Sequence, residues 1–163
     1  MNYAFANPLG GLTLPGLARV AVTVSVLALD EQRRLVLHRR GPAAPWGLPG
    51  GRLAAGENVA QAALRSFHTA TRLTARVTYL LGIYSDPLDR VVQDPDDSAM
   101  VHEVNILLEA HLVSSAMPTA LTDAIQPSRN VGFFHPERLP SALLETSVGP
   151  LQNYLRGHIG IIR

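Results

Sequence analysis

Two adjoining stretches leave this chain the least freedom. Trp46-Gly47-Leu48-Pro49-Gly50-Gly51 is a loop that no regular helix tolerates, because its glycines and its proline disrupt helical backbone. Past Gly56-Glu57 the pattern reverses. Asn58 suits a helix N-cap, and Gln61 stands in capping-box spacing to it. Apolar residues then recur at Val59, Ala60, Ala63, Leu64, Phe67 and Ala70, one stripe at the period of an α-helix. The spacing predicts an amphipathic helix over Asn58–Thr71.

On either side the signals are mostly those of strands. Val20–Ala28 is β-branched and apolar, as a buried strand requires. Asp30-Glu31-Gln32 reads as a turn, with a second strand over Arg34–His38 and a break at Gly41-Pro42-Ala43-Ala44-Pro45. Arg76–Ser85 and Val101–Val113 are predicted strands, with Asp86–Ser98 a loop or open hairpin tip between them. Ser114–Arg129 has no clear period. Val131–Phe134 reads as a short strand, Glu137–Pro140 as a turn, and Pro150–Arg156 as a C-terminal helix stopped by Gly157. Residues 1–17 read as an irregular arm. With no repeat or linker, 163 residues are expected to form a single domain, 1–163.

Composition removes several function classes. A formal net charge of +1 offers no field for nucleic acid or an anionic membrane. All 14 basic residues are Arg. Guanidinium forks suit phosphates, and the chain clusters them weakly at Arg33, Arg34, Arg39 and Arg40. The absence of Cys excludes disulfides, a thiol nucleophile and thiolate metal sites. No apolar run reaches the roughly 18 residues of a membrane span. No signal-peptide pattern is visible, so the expected location is cytoplasmic.

The Trp46–Gly51 loop, Gly56-Glu57 and Arg65 together resemble the Nudix box, with Gly51, Glu57 and Arg65 at its spacing. Tyr84-Ser85-Asp86-Pro87 and Phe133-Phe134-His135-Pro136-Glu137-Arg138-Leu139-Pro140 resemble segments that accompany the box in related sequences. The resemblance implies an α+β fold, an α/β/α sandwich with a mixed, curved sheet between helices. It also implies MutT-like pyrophosphohydrolase chemistry on nucleoside diphosphates linked to another group, with Mg2+ as cofactor. Gly50 and Gly51 would shape the loop, and Glu57 and Arg65 would brace it.

The box is degenerate. The family's glutamates fall here on Ser66, Thr69 and Ala70, and its closing Gly falls on Arg72. Positions i, i+3 and i+4 share one helix face, where carboxylates would hold Mg2+. Two hydroxyls and a methyl cannot replace them, so Mg2+ binding is expected to be weak or absent. His68 lies about 200° around the helix from Ser66 and is expected to point away. Glu57 and Glu103 are the weak metal candidates that remain. Asp94-Pro95-Asp96-Asp97 reads as a solvated loop.

Three functions follow from this reading. The first is a binder of a nucleotide-like diphosphate with hydrolysis weak or lost. The second is an active Mg2+-dependent hydrolase with ligands relocated to Glu57 and Glu103. The third is a non-catalytic homodimeric module, using the apolar arm (Leu12, Leu14, Leu17) and the tail Ile159-Gly160-Ile161-Ile162, although both ends suit packing on their own domain equally well. Arg39, Trp46, Tyr84 and Phe134 are the ligand-binding candidates, the aromatic ones as platforms for a base, although each aromatic also suits a core.

Overall fold

A computed structural model describes residues 17–94, 96–113 and 130–163. Its spine is β1 (Leu17–Leu29), whose β-branched run serves two layers at once. Val24, Val26 and Ala28 project to one side, and Leu27 and Leu29 to the other, as the two-residue period of a strand demands. Burial on both faces explains why the run lacks a clean polar alternation.

The sheet grows outward from that strand. β2 (Leu35–His38) returns antiparallel after the turn, and β3 (Gly50–Arg52) pairs antiparallel with Thr23–Ser25. On its other edge β1 runs parallel to β6 (Met100–Leu112), from Leu17 opposite Met100 to Leu29 opposite His111. β4 (Ala75–Tyr84) and β5 (Val91–Gln93) pair antiparallel with β6, and β7 (Val131–Phe134) with β2. β8 (Ile161–Ile162) lies parallel on β4. The order is β7-β2-β1-β6-β4-β8, a mixed sheet.

Helix α1 (Val59–Thr71) covers one face. Asn58 Oδ1 accepts from the Gln61 N–H, and Gln61 Oε1 from the Asn58 N–H, both at 2.9 Å, so the expected capping box is complete. Ala62, Ala63 and Phe67 pack on Val24, Val26, Ala28 and Leu108. The buried face is rotated from the expected stripe: Ala60 is exposed, whereas Ala62 and Ser66 are buried. Small residues on that side let the helix lie close to β3.

Helix α3 (Glu145–Leu155) covers the other face, where Leu151 joins Leu27, Leu35, Leu37 and Leu107. The α/β/α layering expected from the sequence is therefore present. Yet α3 begins five residues before Pro150, which sits inside it. Proline has no N–H for the carbonyl of Thr146, four residues back. Arg90 supplies the missing donor, with Nη2 2.7 Å from that oxygen.

One further expectation needs correcting. Asp86–Ser98 is not all loop. Asp86 caps the short helix α2 (Pro87–Arg90), which leads into β5. The tail pairs in its own sheet at Ile161 and Ile162, opposite Gly82 and Ile83, as the edge strand, and Ile162 stays exposed there. Ser114–Arg129 and the arm 1–16 lie outside the described residues. Among the described residues no helix is long and apolar enough to cross a membrane.

Candidate ligand cleft

The Trp46–Gly51 loop is pinned from both layers. The Val26 N–H donates to Pro49 O (2.8 Å), tying the loop to β1. The Leu48 N–H donates to Ser147 Oγ (3.1 Å), tying it to α3. Gly50 has no room for a side chain, because a Cβ would run into the Val24 carbonyl oxygen. At Gly51 a Cβ would stand 2.7 Å from Ser66 Oγ, so the loop lies directly against α1.

Glu57 and Arg65 brace this junction. Arg65 Nε and Nη2 donate to the two Glu57 oxygens at 2.5 and 2.8 Å, and Nη2 also reaches Arg52 O at 2.8 Å. The Ala54 N–H donates to Glu57 Oε2 (3.0 Å). The Arg65 hydrogen bonds, aided by that N–H, hold the Glu57 carboxyl at about 2. A carboxylate so engaged is a strut, with three of its roughly four acceptor positions already committed within the box.

The emptied positions of α1 do not replace it. Ser66 is 4% exposed, and its hydroxyl has no hydrogen-bond partner among the described residues. Thr69 is exposed and Ala70 half-buried. His68 is exposed and turned to the helix end, with Nδ1 3.1 Å from Leu73 O. Among the described residues no three His, Asp or Glu side chains converge as metal ligands. Mg2+ is held through at least one or two carboxylates beside water and substrate phosphates, and Ser66, Thr69 and Ala70 supply none, so this donor set does not fit it.

A cleft of about 490 Å3 opens on the α3 side of the sheet, bounded by Gly50 and Gly51 at the start of β3. Its floor is polar because odd-numbered residues of β1 and β6 face this way. Asn105 Nδ2 donates to Thr23 Oγ1 (2.9 Å) and Ser25 Oγ (3.0 Å). Glu103, two residues before Asn105, shares the cleft with Arg39, Arg40, Arg52 and Arg90. Burial pushes the Glu103 carboxyl above its ordinary value, against the opposing pull of Arg90, Arg52 and Arg40. His38 also lines the cleft, and burial, with Arg40 adding to it, lowers its pKa.

Glu57 and Glu103 therefore play separate parts: Glu57 braces the box, and Glu103 lines the cleft. None of Ser66, Thr69 and Ala70 is among the cleft-lining residues. Of the aromatic candidates, Tyr84 is core, 5% exposed, with its ring 5.4 Å from the Arg90 guanidinium carbon. It is absent from the lining of this cleft and borders a neighbouring one with Asp86, Asp89 and Arg90. Trp46 meets Phe134 edge-on at 5.0 Å, and Arg39 lies 4.5 Å from the Trp46 ring centroid. This packed trio flanks the cleft, and only Arg39 of the three lines it.

Sequence reasoning missed Asp94. It was expected in a solvated loop, yet it is 1% exposed and accepts from both Arg19 and Arg52 through Oδ2. Oδ1 accepts from the Asp96 N–H (2.9 Å). That N–H and the two arginines hold the Asp94 carboxyl at about 2. The Asp-Pro-Asp-Asp run was the available signal, since Asp two residues before a free N–H favours an Asx turn. The arginine cluster divides: Arg34 pairs with Asp30 at 2.7 Å, while Arg39 and Arg40 reach the cleft.

A mixed sheet between two helices, with a short Gly-Gly strand beside a helix braced by a Glu–Arg pair, defines a class of fold and site. The NUDIX domain family model matches residues 19–150, and the chain belongs to this family. A Bacillus subtilis (strain 168) protein provisionally named an 8-oxo-dGTP diphosphatase is 34% identical over 62 residues. That match spans 38% of this chain and 42% of the relative, so it covers less than half the length of either. A NUDIX hydrolase from Nitrosomonas europaea superposes with a TM-score of 0.61 at 19% identity, covering 90% of this chain and 81% of the other. An ADP-ribose pyrophosphatase from Streptococcus suis 89-1591 gives 0.61 at 15% identity, over 88% and 97%. At such identities the structural likeness speaks for the fold.

Proposed function

We propose that this Nudix-family protein binds a nucleotide-like diphosphate in the cleft and hydrolyses it weakly or not at all. The observation that carries this reading is the state of the box. The cradle is built, with Gly50, Gly51, Glu57 and Arg65 all engaged, while α1 presents a buried serine hydroxyl, a threonine and a methyl at the glutamate positions. Without anionic ligands there, water activation by a bound divalent ion loses its support.

The test is turnover of ADP-ribose, nucleotide sugars, diadenosine polyphosphates and nucleoside triphosphates with Mg2+ or Mn2+. The expected result is thermal stabilisation by one of these ligands with turnover far below about 1 s⁻¹, the low end of ordinary enzyme rates. The Ser66→Glu/Thr69→Glu/Ala70→Glu triple variant should gain Mg2+ affinity and raise turnover. Brisk wild-type hydrolysis would sink the proposal. It would favour instead an active enzyme with relocated ligands, a reading for which the placement of Glu103 in the cleft speaks.

A further inference from the structure

A diphosphate carries charge that a Nudix enzyme would leave to its metal, and the donor set on α1 does not fit one. The cleft holds another source of positive charge. Four arginines (Arg39, Arg40, Arg52, Arg90) stand against two carboxylates (Asp96, Glu103). Their commitments differ. Arg90 is 4% exposed and spends Nη2 on the Thr146 carbonyl. Arg52 is held at the cleft wall by Asp94 and, at 3.5 Å, by Asp96. Arg39 lies over Trp46 and donates to Pro42 O (2.8 Å). Arg40 is exposed at the mouth, and among the described residues no hydrogen bond or ion pair fixes its guanidinium.

Glu103 completes the picture. It is half-buried among Arg40, Arg52 and Arg90, yet it makes no hydrogen bond with any described residue. Arg52 is balanced by Asp94 and Asp96, which leaves Arg39, Arg40 and Arg90 in the cleft with Glu103, a carboxylate hydrogen-bonded to none of them. Such an arrangement has positive charge left over for an incoming anion, and guanidinium forks match phosphate oxygens in pairs.

We infer that the cleft binds a diphosphate-bearing ligand without a metal ion, with Arg40 as the mobile phosphate clamp, Arg52 as its fixed counterpart, and Glu103 as a repulsive element that limits affinity. This inference rests on the proposed binding function and assigns the charge neutralisation of that same site to the chain's own arginines. Its signature is the opposite of metal bridging. A carboxylate that held Mg2+ against the phosphates would strengthen binding, whereas Glu103 beside bare phosphates weakens it.

Calorimetric titration of the full chain with ADP-ribose, in excess EDTA and again in Mg2+, tests this. The expected outcome is equal affinity in both buffers within about twofold. Arg40→Ala should weaken binding about tenfold, the order expected for one charged hydrogen-bonding group, with an unchanged melting temperature. Arg76→Ala removes the same charge outside the cleft and should change nothing, and Glu103→Gln should tighten binding severalfold. Binding that needs Mg2+ and is lost in Glu103→Gln would overturn metal independence while leaving the nucleotide-binding reading intact. Equal losses in Arg40→Ala and Arg76→Ala would overturn the clamp. No binding of ADP-ribose or inorganic pyrophosphate in either buffer would overturn the binding function itself, and this inference with it.

Discussion

Arg72 shows how a lost motif residue is absorbed locally. The family pattern closes its helix with Gly, and this chain keeps the backbone geometry without the residue. Arg72 sits at φ 63°, ψ 10°, and its N–H reaches His68 O at 2.8 Å. A side chain in the left-handed region costs about 1 kcal/mol. Arg72→Gly should therefore raise the unfolding free energy by about 1 kcal/mol, less the extra entropy glycine loses on folding. Urea denaturation checks this: the midpoint should rise at constant slope. A lower midpoint would mean that the Arg72 side chain makes a compensating contact. The Glu57–Arg65 strut was legible from the sequence because both residues belong to one local motif. Arg40 and Glu103 were not brought together by any such motif, because only the sheet register does so.

Helix α3 teaches the corresponding lesson for elements. Proline rules placed its start at Pro150, since an interior proline strands a carbonyl and costs about 3 kcal/mol. The rule is sound, and its premise fails here because Arg90, 56 residues away in sequence, donates to that carbonyl. Arg90→Met should destabilise the fold by about 2 kcal/mol through the lost charged hydrogen bond. In a Pro150→Ala background the Thr146 carbonyl regains an N–H, so the same change should cost clearly less. Equal costs in the two backgrounds, measured by chemical denaturation, would show that the Thr146 contact is not what Arg90 contributes. α1 behaved differently. Its cap, length and end all lie in contiguous residues, and only the rotation of its buried face depended on the sheet beneath.

Across the whole molecule, two carboxylates tie distant parts together. Glu57 joins the box loop to α1, and Asp94 joins the β5–β6 turn to Arg19 on β1 and Arg52 on β3. Folding lowers both pKa values to about 2, from ordinary values of 4.5 and 3.8. The unfolded chain then binds more protons than the folded one across that interval. The stabilisation is fully present above about pH 4.5 and disappears as pH falls towards 2. Melting temperature should decline through this window, and Glu57→Gln should show a shallower acid limb. A flat profile down to about pH 2.5 would contradict the ion-pair geometry.

What the amino-acid sequence determined alone was whatever depends on neighbours along the chain: the capped helix, the Glu–Arg brace, and the loss of carboxylates at Ser66, Thr69 and Ala70. The tertiary structure decided the rest. It buried Asp94 between two arginines, paired the C-terminal tail in its own sheet, closed Tyr84 into the core, and set Glu103 among guanidinium groups. The physical reason is reach. Capping and helical periodicity act over a few residues, whereas ion pairing and burial depend on which strands lie side by side, and that pairing is fixed only when the sheet assembles.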